Sequence, residues 1–199
     1  IYEKKLTGKN YKDFFIDIGT PKNLKYFQKN SKKFLFKKSA FLDRDGVINF
    51  DFGYVHKFRN FKLKPGVIRG LRYLIGNNYN IFIVTNQAGI AKKKFSIHDY
   101  LKFNYQVKEF FSKKKIYFDA VEFCPHHPDA LIKKYMKKCS YRKPRNGMIE
   151  KILKNFYCSR KTSFFIGDKK SDMMAAKTSK IKFFYSEKNF FNLIKKIAI

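Results

Sequence analysis

Two aspartates one residue apart, Asp43 and Asp45, stand at the end of the apolar run Phe41-Leu42 and just before Gly46. In a strand the side chains of residues i and i+2 point to the same side, so at a strand end both carboxylates can face one pocket. Two anions held that close repel each other, and a protein that keeps both near neutral pH usually has a cation between them. The pair therefore suggests a divalent-metal site, although Asp-Arg-Asp-Gly is also acceptable turn chemistry. Acidic residues are scarce, so their placement carries information: of 15, four (Asp43, Asp45, Asp168 and Asp172) fall in short motifs that follow apolar runs.

Positioning these residues requires strands that end at one edge. From residue 38 onward, short apolar runs alternate with helix-period segments, the pattern of an α/β fold with a parallel sheet. Strands are expected at Ser39 to Leu42, Asn80 to Val84, Tyr117 to Phe123, Ser163 to Ile166 and Ile181 to Tyr185. Between them Pro65 opens a helix carrying Val67, Ile68, Leu71, Leu74 and Ile75 on one face. Ser96 with Asp99 forms a capping-box-like start for another helix, and Asn146 caps a third bearing Met148, Ile149, Ile152, Leu153 and Phe156. The candidate residues then sit where strands end, the edge at which open α/β sheets bind ligands.

A chain of 199 residues holds one well-buried domain with room for a short appendage. No apolar run approaches a bilayer span, and the start lacks a signal-peptide core, so a soluble cytoplasmic protein is expected, with no membrane partner. Three cysteines, an odd number, argue against a disulfide framework. The net charge of +30 would ordinarily raise nucleic acid as a partner. The basic residues are mostly lysines spread along the whole length, without an arginine-rich arm or a base-stacking motif, so no specific nucleic-acid function is expected.

Asp43-x-Asp45-Gly46, then Val84-Thr85-Asn86, then Arg142-Lys143-Pro144, then Gly167-Asp168-Lys169-Lys170-Ser171-Asp172 resemble, in order, the four motifs of the haloacid dehalogenase phosphohydrolase superfamily. Within it the chain is similar to the D,D-heptose bisphosphate phosphatases and the related histidinol-phosphate phosphatases. The resemblance covers about residues 38 to 199, and four ordered motifs are far more specific than one. It implies a Rossmann-like parallel sheet flanked by helices, preceded by a short N-terminal extension.

Phosphate monoesters hydrolyse very slowly, so an enzyme must supply a nucleophile, an acid for the leaving oxygen and neutralisation of the phosphoryl oxygens. The resemblance makes Asp43 the nucleophile that forms an aspartyl-phosphate, and Asp45 the acid that protonates the leaving oxygen and then activates water. It implies Mg2+ bound by Asp43, the backbone carbonyl of Asp45 and Asp168. Thr85 and Lys143 complete the catalytic group, with Thr85, Asn86 and Lys143 on the transferring phosphoryl oxygens and Lys169 supporting the phosphate or the Asp43 carboxylate. Substrate choice is expected to rest on Asp51, Phe52, Gly53 and Tyr54, on Thr85, Asn86, Gln87 and Ala88, and on Arg142, whose planar guanidinium can grip a second phosphate.

Cys124-Pro125-His126-His127-Pro128 followed by Cys139-Ser140-Tyr141 resembles the zinc-stapled loop of the same phosphatases. Cys124, His126 and Cys139 match its ligands, but Tyr141 stands where a fourth, a cysteine, is expected. A phenol with a pKa of about 10 is a poor zinc ligand. Partial or no zinc is therefore expected, with His127 a replacement ligand only if the loop rearranges.

The expected activity is removal of the 7-phosphate of a D-glycero-D-manno-heptose 1,7-bisphosphate, serving nucleotide-heptose and lipopolysaccharide synthesis, by a monomer. The alternatives are a histidinol-phosphate phosphatase and, of another class, an inactive nucleic-acid-binding or scaffolding protein. Residues 1–37 fall outside the domain. Tyr11 to Pro21, with a helix-like Lys22 to Gln28, resemble the end of a sugar-1-phosphate nucleotidyltransferase, which predicts a bifunctional or associated partner preceding the phosphatase.

Overall fold

Alternation along each strand builds the fold. In β1 (Ser39–Leu42), Ala40 and Leu42 join one buried cluster and Phe41 another, and the same split recurs in β2 (Asn80–Asn86), where Ile81 and Ile83 oppose Phe82 and Val84. A strand buried on both faces must be covered by helices on both. The computed structural model describes residues 15–198, the side chains of 32–34 excepted. The chain divides after Leu35.

The second unit carries a five-stranded, all-parallel sheet in the order β3-β2-β1-β4-β5, with β3 at Ala120–Cys124, β4 at Phe164–Gly167 and β5 at Lys182–Tyr185. The first unit contains one described helix, α1 (Pro21–Leu35). Helices α2 (Val67–Gly76), α4 (Ile97–Ser112) and α7 (Phe190–Ile197) cover one face of the sheet through Leu71, Leu74, Phe103, Val107, Phe111, Phe190 and Ile194. The other face is covered by α5 (Gly147–Asn155) and α6 (Lys170–Thr178) through Met148, Ile149, Ile152, Ala175 and Ala176. Burying each large apolar side chain contributes roughly 1.5–3 kcal/mol, so both layers hold the central strand in place. The short α3 (Ala88–Ala91) follows β2 directly.

The expected strands are present, β1 with its expected bounds and the other four with shifted ends. β2 runs on through Thr85 and Asn86, which pair with Phe123 and Cys124, so these polar residues continue the ladder instead of turning away from it. β3 begins at Ala120, three residues later than expected, and β4 and β5 each begin one later, β4 ending at Gly167. Pro65 precedes the second helix without opening it: Gly66, at φ 81, is its N-cap. Asn146 occupies the N-cap of α5, but its amide donates to Glu150 Oε1 at 3.1 Å and caps no backbone N–H. The Ser96–Asp99 capping box forms as expected, with Asp99 N donating to Ser96 Oγ and Ser96 N to Asp99 Oδ2.

In the N-terminal unit the helix expected over Lys22 to Gln28 extends to Leu35. Residues 29–35 contain neither glycine nor proline to stop it. Thr20 Oγ1 accepts from Asn23 N at 3.2 Å at its start, with Pro21 in the first position. Tyr11 to Phe14, part of the nucleotidyltransferase-like stretch, lie outside the described residues. Among the described residues no helix is long and apolar enough to cross a membrane.

Candidate active site

The carboxyl ends of β1, β2 and β4 converge on one cleft. Asp43 N donates to Ile166 O at 2.9 Å, which continues the β1–β4 ladder one residue past the strand and aligns the first motif with the last. Gly46 then turns the chain at φ 82, and a Cβ there would overlap the Asp168 carboxylate, so glycine is what lets the two motifs touch. The cleft, ≈ 500 Å³, is lined by both aspartates of the first motif and by residues from each of the other three. A larger groove, ≈ 730 Å³, runs along His56, Arg59, Lys94 and Lys102 but contains none of the motif residues.

At the base of the cleft Lys143 is 2 % exposed. Its Nζ lies 3.0 Å from Asp43 Oδ2 and 2.7 Å from Asp172 Oδ1, and donates to Val84 O at 2.8 Å. Burial alone would depress this amine, but Asp43 and Asp172 outweigh it and hold its pKa above the usual lysine value. Asp43 is pushed up to about 6, chiefly by burial, with Lys143 opposing and Asp172 adding to the rise. Burial also raises Asp168, again with the nearby Asp172 contributing.

Carboxylate oxygens of Asp43, Asp168 and Asp172 lie within 4.8 Å of one another, and Asp168 Oδ1 is buried without a hydrogen-bond partner. Three crowded carboxylates share one buried ammonium, and that ammonium contacts Asp43 and Asp172 but not the orphaned oxygen of Asp168. This donor set fits a hard, oxygen-seeking divalent cation. Asp43, Asp45 and Asp168 are the expected metal residues, and Asp172 is not among them. Asp172 is the anchor of Lys143, and its signal was the recurrence of a second aspartate four residues after Asp168.

The expected substrate residues gather in the same cleft, with one exception. Asp51, Gly53, Tyr54, Thr85, Asn86, Gln87, Ala88, Arg142, Lys143 and Lys169 all line it. Phe52 does not: it is 64 % exposed and stacks on Phe50 with ring centroids 6.0 Å apart. Gly53 and Tyr54, which follow it, both have positive φ, 75° and 54°, and both line the cleft. Gly89, Pro144, Ser171 and Asp172, all within or beside the motif segments, complete the lining.

Several of these side chains already have partners. Asn86 is bound to the Lys143 backbone in both directions, its Oδ1 accepting at 3.1 Å and its Nδ2 donating at 3.0 Å, so it positions Lys143. Gln87 Nε2 donates to Thr85 Oγ1 at 2.9 Å and to Asp45 Oδ2 at 3.3 Å. Lys169 Nζ donates to Asp51 Oδ2 at 3.0 Å, tying the 51–54 loop to the last motif. Arg142, half-buried, gives Nη1 to His126 O at 3.2 Å and keeps further donors for a ligand.

Donor atoms of Cys124, His126 and Cys139 also lie within 4.8 Å of one another. Among the described residues no fourth ligand joins them. His127 Nδ1 is occupied as an acceptor from Asp129 N at 3.0 Å, and Tyr141, 38 % exposed, offers only a phenol. Burial pushes the Cys124 thiol up to about 12, so a soft metal must displace its proton to bind. Three donors fit a weak, open zinc position and not a closed structural one.

Residues 45–195 match the family model described as polynucleotide kinase 3 phosphatase. A D-glycero-beta-D-manno-heptose-1,7-bisphosphate 7-phosphatase of Pasteurella multocida is 38% identical over 146 residues, 73% of this chain and 79% of that one. A D-glycero-alpha-D-manno-heptose-1,7-bisphosphate 7-phosphatase of Campylobacter jejuni is 42% identical over 139 residues, 69% of this chain and 75% of that one. The crystal structure of D,D-heptose 1,7-bisphosphate phosphatase from B. bronchiseptica, complexed with magnesium and phosphate, superposes with a TM-score of 0.68 at 24% identity, covering 80% of this chain and 86% of that one.

Proposed function

The chain belongs to the heptose-bisphosphate branch of the haloacid dehalogenase-like phosphatases, and on that premise we propose that it hydrolyses the 7-phosphate of a D-glycero-D-manno-heptose 1,7-bisphosphate. As a phosphoric monoester hydrolase it needs a nucleophile, an acid and a charge clamp, and one observation supports all three in one place: the cleft that joins Asp43, Asp45 and the buried Lys143. Asp43 attacks phosphorus, and the ester oxygen leaves with a proton from Asp45. Asp45 then takes a proton from the water that cleaves the aspartyl-phosphate. Lys143 holds the nucleophile in place and faces the transferring group with positive charge.

Asp43, the Asp45 carbonyl and Asp168 would hold a magnesium ion, which would supply charge neutralisation for the phosphoryl oxygens. The orphaned Asp168 oxygen and the raised Asp43 and Asp168 carboxyls support that site. Arg142, with guanidinium donors still available, suits the second phosphate of a bisphosphate better than the single phosphate of histidinol phosphate. Relatives carry both anomeric names, so the anomer is decided by assay. We read the cytoplasm as the site of action, a monomer as the working unit, and residues 1–37 as the end of a preceding nucleotidyltransferase, which the complete gene tests directly. An intact charge cluster in a family of enzymes favours catalysis over a scaffolding or nucleic-acid role.

Turnover of both anomers beside histidinol phosphate, with and without magnesium, tests the proposal. A preference for one heptose anomer, dependent on magnesium, is expected. Faster turnover of histidinol phosphate would overturn the substrate.

A further inference from the structure

Arg44, the residue between the two aspartates, is 3 % exposed, and its side chain is built into the site. Its Nη2 lies 2.6 Å from Asp45 Oδ2 and its Nε 3.2 Å from Asp45 Oδ1, a two-pronged grip on one carboxylate. The same Nη2 donates to Val55 O at 2.9 Å, and the guanidinium sits 4.8 Å from the Phe103 ring centroid and 5.8 Å from that of Tyr100. Phe103 and Tyr100 belong to α4, so the arginine is braced by the scaffold on one side and holds Asp45 on the other. Asn49 Nδ2 adds a third contact to Asp45 Oδ1 at 2.9 Å. The fourth, from Gln87, is the longest.

A buried arginine in a bidentate pair has little rotational freedom, and a lysine cannot reproduce the fork. We propose that Arg44 is the positioning residue of the acid–base step, fixing the Asp45 carboxylate where it meets the leaving-group oxygen, with Asn49 as its second brace. Gln87, which also has Thr85 as partner, is the contact that gives way when Asp45 carries its proton. The step itself balances without further reactants. A carboxylate oxygen of Asp43 bonds to phosphorus, the phosphorus–ester oxygen bond breaks, and the ester oxygen keeps that electron pair and takes the Asp45 proton. The proposal rests on Asp45 as the acid, assigned above.

The dependence on leaving group separates positioning from general damage. An alkyl phosphate such as the heptose bisphosphate needs a proton on its departing oxygen, whereas p-nitrophenyl phosphate departs readily without one. The ratio of kcat/KM for the two does not depend on the fraction of protein that folds. General acids contribute roughly 10²–10⁴-fold, so Arg44→Lys and Arg44→Met should each lower the alkyl-to-aryl ratio by at least about tenfold, in the direction of Asp45→Asn. Asn49→Ala should lower it less. A reduced ratio in Asp45→Asn with an unchanged ratio in both Arg44 variants would overturn the proposal alone. An unchanged ratio in Asp45→Asn would overturn the acid assignment and the proposal with it.

Discussion

Lys143 and Arg142 are neighbours in sequence with different work. Lys143 is buried against Asp43 and Asp172, while Arg142 is half-buried at the cleft with donors to spare. Arg142→Ala should therefore weaken kcat/KM for a heptose bisphosphate by about tenfold or more while leaving a simple monophosphate within a few-fold, as measured by parallel steady-state kinetics. Equal losses would contradict the division. Lys143→Ala should depress both substrates, and because it strands two buried carboxylates it should also destabilise the fold by about 3–5 kcal/mol in denaturant melts. The Asp43-x-Asp45 pair was legible because strand geometry alone makes i and i+2 converge. The Asn86 clamp on Lys143 was not, since it joins residues 57 apart in sequence and nothing local announces it. Phe52 differs for the opposite reason: the motif includes it, but its ring stacks on Phe50 outside the cleft lining.

At the level of elements, the end of β3 and the loop after it carry the three-donor set, and α5 carries one side of an exposed ion pair. Tyr141→Cys should raise zinc from a substoichiometric amount to about one per chain by elemental analysis and should raise the melting temperature, because it closes a three-donor set. Stoichiometric zinc that resists chelators in the unmodified protein would contradict the three-donor reading. Glu150 on α5 accepts from Arg160 Nη1 and Nη2 at 3.0 and 2.8 Å, and the Arg160 hydrogen bond holds its pKa below the usual glutamate value. A depressed carboxyl stabilises the fold above its unfolded pKa and loses that contribution as pH falls through the folded one. Both partners are about two-fifths exposed, so after screening Glu150→Gln should cost only about 0.5 kcal/mol at pH 7, and the difference from the parent should be full above the ordinary glutamate pKa and shrink in melts as pH falls below it. Strand existence was legible from apolar runs, whereas the late start of β3 was not. Tyr117 and Phe118 have strand-like composition but precede Asp119, whose Oδ2 accepts from Ile81 N at 2.7 Å and so marks where pairing begins.

Across the whole molecule, a net charge of +30 acts on a substrate that is a polyanion. Long-range attraction raises encounter rates and is screened by salt, so kcat/KM for the bisphosphate should fall several-fold from low to physiological ionic strength, more steeply than for a monophosphate. A flat salt profile would assign the lysines to solubility alone. The parallel order β3-β2-β1-β4-β5 explains why four motifs scattered from Asp43 to Asp172 form one site: each follows or ends a strand at the same sheet edge, or lies on the loop after β3. That arrangement follows from alternating strands and helices, and so was readable in outline before the structure. The central claim is that this site removes the distal phosphate of a heptose bisphosphate through Asp43. Phosphorus-31 NMR of the reaction with heptose 1,7-bisphosphate, with Asp43→Asn as the blank, tests it most directly. The expected products are heptose 1-phosphate and inorganic phosphate with no turnover by the blank, whereas accumulation of heptose 7-phosphate, or equal turnover by Asp43→Asn, would contradict it.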